Sequence, residues 1–168
     1  MSKLEQIYEL PIYKKAELLF QLVESLVATL PEEDDFIEAT KDFMLADALI
    51  LPAKIVGAES GGLYSIKMQN AAIIRQHGMS LHIQVGSLCY HENYKDLEYV
   101  ALIQKELEEF RKLFIPWVSN FDTANHVWDE WELFNPEGAN PLSQIEDFKG
   151  IFDDFDDDFD DDFEDEDE

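Results

Sequence analysis

Val100, Ile103, Leu107, Phe110, Phe114 and Trp117 follow one another at alternating steps of three and four, the spacing that puts six apolar side chains on one face of an α-helix. The same rhythm recurs three times upstream. Ile12, Ala16, Leu19, Val23, Leu26 and Leu30 carry it first, then Ile37, Met44, Ala48, Leu51 and Ile55, then Ala71, Ile74, Gly78, Leu81, Val85 and Leu88. No strand-like alternation of apolar and polar residues separates these stripes. Four amphipathic helices in sequence, joined by short connections, predict an all-α chain folded as an up-down-up-down four-helix bundle.

The punctuation fits that order. Pro11 suits the first turn of a helix running to about Leu30, and Pro31 stops it. Glu32 to Asp35 place acids at the positive end of the second helix dipole, and this helix should reach about Ala58 with a bend at Pro52. Gly57, Gly61 and Gly62 would then supply the positive φ angles of a tight reversal. The third helix is expected over about Leu63 to His91. Gly78 within it costs about 1 kcal/mol relative to Ala, which marks either a packing site or a bend. The fourth helix follows Tyr94, and Pro116 ends or kinks it. Beside the third stripe lie Asn70, His77, Ser80 and Gln84, too polar for a dry core, so they are assigned to a groove, to water or to an oligomer interface.

With 168 residues, 46% of them hydrophobic, the chain can bury one substantial core. The organisation expected is a bundle over residues 1–118, an irregular aromatic extension over 119–147 and an acidic tail over 148–168. The extension combines turn chemistry, Asn135-Pro136-Glu137-Gly138, with Trp128, Trp131 and Phe134. Those aromatics either cover apolar bundle surface or form a docking site. In the tail, Phe152, Phe155, Phe159 and Phe163 continue a helical spacing begun at Phe148, while thirteen carboxylates fill the eighteen residues after Gly150. Self-repulsion and the poor helix propensity of Asp predict a disordered tail when unbound. It is read either as a partner-binding segment whose phenylalanines are anchors or as a solvating tail.

Charge narrows the choice of partner. Of the net −26, half falls after Gly150 and half on residues 1–150, so both parts repel phosphate backbones and anionic lipids. Direct binding of nucleic acid or membrane is not expected, and a basic protein partner is. One cysteine, Cys89, excludes an internal disulfide, and no signal-peptide run follows Met1, so a cytoplasmic location is expected. The four histidines do not pair at ligand spacing on a helix, and no nucleophile elbow, phosphate loop or calcium loop is present. A non-enzymatic protein without cofactor or metal is the reading.

Tyr13-Lys14-Lys15-Ala16 and the phrase Ile50-Leu51-Pro52-Ala53-Lys54-Ile55, followed by Glu59-Ser60-Gly61-Gly62, resemble a bacterial four-helix-bundle family. That family includes proteins encoded by intervening sequences in large-subunit ribosomal RNA and the accessory variability determinant of diversity-generating retroelements. The resemblance covers roughly residues 10–114 and implies a bundle that assembles as a ring-shaped homopentamer. Lys54 stands where the family commonly has Asn, and Asp47-Ala48 where a basic pair is common. Two functions follow: an oligomeric adaptor binding a protein through tail and aromatic flank, or an accessory protein acting on the basic groove of a nucleic-acid enzyme such as a reverse transcriptase, nuclease or recombinase.

Overall fold

Ser2 opens the structure with a capping box, its hydroxyl accepting from the Glu5 amide at 3.2 Å while the Glu5 carboxylate accepts from the Ser2 amide. The short helix that follows, α1 (Lys3–Tyr8), buries Ile7 and is tied by Lys3 Nζ to the Ser60 carbonyl at 3.0 Å. This helix lies outside the four expected from periodicity. The computed structural model describes residues 1–32 and 35–141.

Helix α2 (Pro11–Val27) begins at Pro11, where the missing N–H would have had no helical partner in any case. All six residues of its expected stripe are buried. The helix itself stops three residues before Leu30, because the Thr29 and Leu30 amides turn back to the carbonyls of Leu26 and Val27, a tighter turn that still delivers Leu30 to the core.

Helix α3 (Asp35–Ser60) carries Asp35 and Glu38 in its first turn and continues through Pro52, which is itself buried. Ile37, Met44, Ala48, Leu51 and Ile55 are fully buried, as their spacing requires. The glycines do something other than the expected reversal. Among the described residues only Gly138 has a positive φ of the glycines, so neither Gly57, inside α3, nor Gly61 or Gly62 uses that freedom. Leu63, extended at φ −74° and ψ 132°, makes the entry into the next helix instead. Gly57 and Gly62 are close-approach positions: a Cβ at either would stand 2.9 Å from Asn70 Oδ1 or 3.0 Å from Asn125 Nδ2.

Helix α4 (Tyr64–Ser87) ends earlier than expected and passes into a 3-10 turn over Leu88–Tyr90, which keeps Leu88 in the core. Among the described residues nothing packs on Gly78, since no atom lies within 4 Å of where its Cβ would be. Helix α5 (Leu97–Ser119) is capped by Asp96, whose carboxylate accepts from the Tyr99 amide at 3.3 Å. Val100, Ile103, Leu107 and Phe110 are buried, whereas Phe114 and Trp117 are half-buried. Pro116 falls in the last turn, and the helix runs three residues beyond it.

Each long helix packs on its neighbours in the chain, and α2 closes the bundle against α5. The fold is therefore an all-α four-helix bundle. Leu19, Leu26, Met44, Leu51, Leu81 and Ile103 are among the fully buried side chains at its centre, each worth about 1.5–3 kcal/mol of apolar burial. Lys15 and Glu106, both largely shielded, pair at 2.6 Å across α2 and α5. The α3–α4 interface is the most extensive and α4–α5 the least, which leaves the bundle open along that last side. Among the described residues no helix is long and apolar enough to cross a membrane.

Candidate functional site

Two regions carry polar or aromatic groups beyond what the core needs. The first is the seam between α3 and α4. His77 Nδ1 lies 2.6 Å from Asp47 Oδ1, and the Asp47 carboxylate is nearly buried, with Oδ2 lacking a hydrogen-bond partner among the described residues. Two turns toward the start of α4, Asn70 donates to the Ile66 carbonyl at 2.8 Å and fills the space that Gly57 leaves open. In the other direction Gln84 donates to Ser80 Oγ at 3.0 Å, and Ser87 donates to the Gln84 carbonyl at 2.7 Å. Asn70, His77, Ser80 and Gln84 are thus half-buried with partners inside the same chain. The packed α3–α4 seam gives this polar line a use within one chain: the Asp47–His77 pair spans two helices at thirty residues' separation.

The second region begins where α5 ends. Phe121 is buried against Trp117, the rings meeting edge to face at 4.8 Å, and the Lys67 ammonium sits 5.2 Å from the Phe121 ring centre. Trp117 Nε1 donates to Glu59 at 2.7 Å, and Lys67 pairs with the other Glu59 oxygen at 3.5 Å. Asn125 then clamps the extension onto the α3–α4 turn from both sides. Its side chain donates to the Gly62 carbonyl at 2.7 Å, and its own carbonyl accepts from the Tyr64 amide at 2.7 Å, satisfying one of the open donors at the start of α4.

Beyond this clamp, Asp129 organises a loop. Its carboxylate accepts from the backbone amides of Trp131, Leu133 and Phe134 at 3.1, 3.1 and 3.0 Å. The Asp129 amide donates to Asn135 Oδ1 at 2.8 Å and the Asn135 amide group donates back to the Asp129 carbonyl at 3.1 Å, so the loop is closed at its base. Glu132 takes φ 54°, a left-handed conformation that a non-glycine residue adopts only where its surroundings impose it. The amide of Phe134, and then those of Trp131 and Leu133, hold the Asp129 carboxyl below the usual carboxylate range.

The consequence is a sorting of the apolar side chains. Trp131 is 91% exposed and Leu133 70%, while Trp128 and Phe134 are half-buried. The carboxylates of Glu130 and Glu132 flank the exposed indole along the chain, and both residues are exposed. A pattern of Asp followed six residues on by Asn-Pro is the sequence signal that points to such a turn, through the habit of Asx side chains of bonding nearby amides. The other sequence-identified anchors, Phe152, Phe155, Phe159 and Phe163, lie outside the described residues.

Among the described residues no three His, Cys, Asp or Glu side chains converge as metal ligands. The chain matches no family model, no curated protein and no solved structure. Its likeness to the intervening-sequence and retroelement proteins therefore stands on the motif residues alone.

Proposed function

We propose that the chain is a non-enzymatic helical-bundle adaptor that docks a basic protein partner on its 129–135 loop, with the acidic tail as a second contact. The observation that carries this reading is the 91% exposure of Trp131 on a loop whose turns are fixed by the Asp129 carboxylate. A large exposed indole on a preordered loop loses little conformational freedom on binding, and tryptophan is among the side chains that dominate interface energetics. Glu130, Glu132 and the net charge of −26 would steer a basic surface toward it. The partner-binding set is the exposed Trp131 and Leu133, the half-buried Trp128 and Phe134, and the tail phenylalanines.

Self-association, implied by the family resemblance, belongs to this proposal. Phe36 and Phe43 support it, because they stand 56% and 62% exposed two turns apart on α3. Light scattering should return a multiple of 19.5 kDa, and a mass of one chain at high micromolar concentration would remove this part of the reading.

The docking claim is tested by capture of a partner on immobilised full chain, with Trp131→Ala as the variant. A hot-spot tryptophan is worth at least about 2 kcal/mol, so affinity should fall by roughly 30-fold or more. Unchanged affinity would refute the assignment. The body charge of −13 favours a second reading, in which the partner is the basic groove of a nucleic-acid enzyme. Duplex DNA would then compete with the chain for its partner, and lack of competition would remove that reading while leaving the adaptor intact.

A further inference from the structure

The weak contact between α4 and α5 leaves a groove of about 520 Å³, with Met79 and Ile83 on one wall and Phe114 and Ile115 on the other. Met79, Ile83 and Ile115 are 50%, 68% and 51% exposed. Gly78 lies on the floor, where a side chain would meet nothing. The charged and titratable groups along it are Arg75 and His82 from α4 and Arg111 and Glu108 from α5. Arg75 and Arg111 are the two arginines of the whole chain. Arg111 is held by Glu108 through contacts of 2.8 and 2.6 Å, and Arg75 makes no ion pair among the described residues. An apolar trough with arginines at its edge, in a protein otherwise rich in acid, calls for an acidic amphipathic segment.

We propose that this groove is the docking site of the chain's own C-terminal segment, Phe152 to Phe163. The segment lies outside the described residues, and its fit is argued from sequence and length. In a helix Phe152, Phe155, Phe159 and Phe163 would share one face, and all the positions between them are Asp. The separation of Phe152 from Phe163 is eleven residues, about 17 Å of helix. The groove runs along α5 from Gln104 to Ile115, which is also eleven residues and about 17 Å. A dry cavity of about 150 Å³ accepts one benzene ring, so this volume takes about three of the four rings. Pro141, the last described residue, is eleven residues before Phe152, a reach of up to about 36 Å. The chain leaves α5 at Ser119, one turn beyond the Phe114 and Ile115 end of the groove, and Asn125 holds it at the α3–α4 turn.

Charge and tethering favour the tail over a free partner. The body as a whole repels the tail, but at physiological salt a charge beyond about 8 Å is largely screened, which leaves Arg75 and Arg111, the latter paired with Glu108, as the near field, with Arg75 as its unpaired positive charge. A segment on the same chain also meets the groove at an effective concentration in the millimolar range, which no separate acidic helix matches. Docking of the tail does not rest on the Trp131 assignment. It would hold the tail phenylalanines at home until a basic partner with a better groove draws them away.

The test uses the full chain with methyl-labelled isoleucines and labelled phenylalanine rings. Nuclear Overhauser contacts from the Ile83 and Ile115 methyls to tail rings are expected, and changing Phe152, Phe155, Phe159 and Phe163 to Ser should shift both methyl signals. Gly78→Leu fills the floor of the groove with a better helix former, so the protein should stay folded while the tail contacts disappear. Methyl signals indifferent to the four Phe→Ser changes would overturn the proposal, as would contacts that survive Gly78→Leu. Mixing methyl-labelled with ring-labelled chains identifies the occupant: contacts between chains would mean that a second copy's tail fills the groove, which also overturns it. Partner capture is read separately, so failure here leaves the Trp131 assignment standing.

Discussion

Gly57→Ala should leave stability almost unchanged, and the reason is a cancellation that can be taken apart. A methyl group near the end of α3 gains roughly 0.5–1 kcal/mol of helix propensity over glycine. That methyl would stand 2.9 Å from Asn70 Oδ1, closer than a Cβ tolerates, and 3.4 Å from its Cγ. The Asn70 amide is the free end of a side chain, so it can swing away, but only by giving up its 2.8 Å bond to the Ile66 carbonyl. A hydrogen bond of this kind is worth about 1 kcal/mol, which offsets the gain. In an Asn70→Ala background the obstacle is gone and Gly57→Ala should stabilise by the full 0.5–1 kcal/mol, or roughly 1–4 °C in melting temperature for a chain of this size. Urea unfolding of the four chains in the cycle gives the coupling energy directly. Equal effects of Gly57→Ala in both backgrounds would show that Gly57 is not kept by the approach of α4, and the account of the reversal would fail.

The Asp47–His77 pair should behave as a buried pair: His77→Ala alone, by stranding the carboxylate, is expected to cost about 1.5–3 kcal/mol in urea unfolding, and more than His77→Ala combined with Asp47→Ala. Tyr94 is buried with its hydroxyl near the Thr29 side chain but making no close hydrogen bond, the Thr29 hydroxyl donating to the Leu26 carbonyl instead, so Tyr94→Phe should be close to neutral by thermal melt. Burial first, and then the Asp96 carboxylate, push the Tyr94 phenol up to about 12. The folded chain keeps that proton after the unfolded chain releases its own near 10. Stability from this source is therefore complete below pH 10 and lost between 10 and 12, and Tyr94→Phe should flatten that decline. Asp129→Ala should speed hydrogen exchange at the amides of Trp131, Leu133 and Phe134 while leaving the bundle's unfolding transition in place. Because the Asp129 carboxyl titrates below its usual range, the wild-type loop should keep this protection through the ordinary carboxylate range and lose it only at more acidic pH.

The bundle was legible because its signal is repeated and local. The α2 stripe from Ile12 to Leu30 is buried throughout, and every stripe member of α3 is as well, since periodicity reports directly which face meets the core. The features that escaped are those in which a residue's role is set by something distant. Gly57, Gly61 and Gly62 look like a turn in sequence, but what Gly57 and Gly62 accommodate is Asn70 and Asn125, whose approach no local pattern announces. His77 belongs to a polar line on α4, and only the packing of α3 brings Asp47 to it. Helix α1 had a readable start in Ser2 and Glu5, but six residues are too few to show a period. In the extension, sequence singled out the aromatics and missed Asp129, the residue that decides which of them face outward. Gly78 illustrates the opposite error: it sits in register with the apolar stripe, yet the side of the bundle it faces is the one left open.

The adaptor reading turns on whether the Asp129 loop presents Trp131 to a partner. The direct measurement is photo-crosslinking from Leu133, which is 70% exposed and lies two residues from Trp131, in the full chain inside cells. The account predicts an adduct with a basic protein, lost both with Trp131→Ala, which removes the anchor, and with Asp129→Ala, whose carboxylate oxygens are already occupied within the loop and act only by shaping it. An adduct that persists in both variants, or no adduct from the wild-type chain, would contradict it.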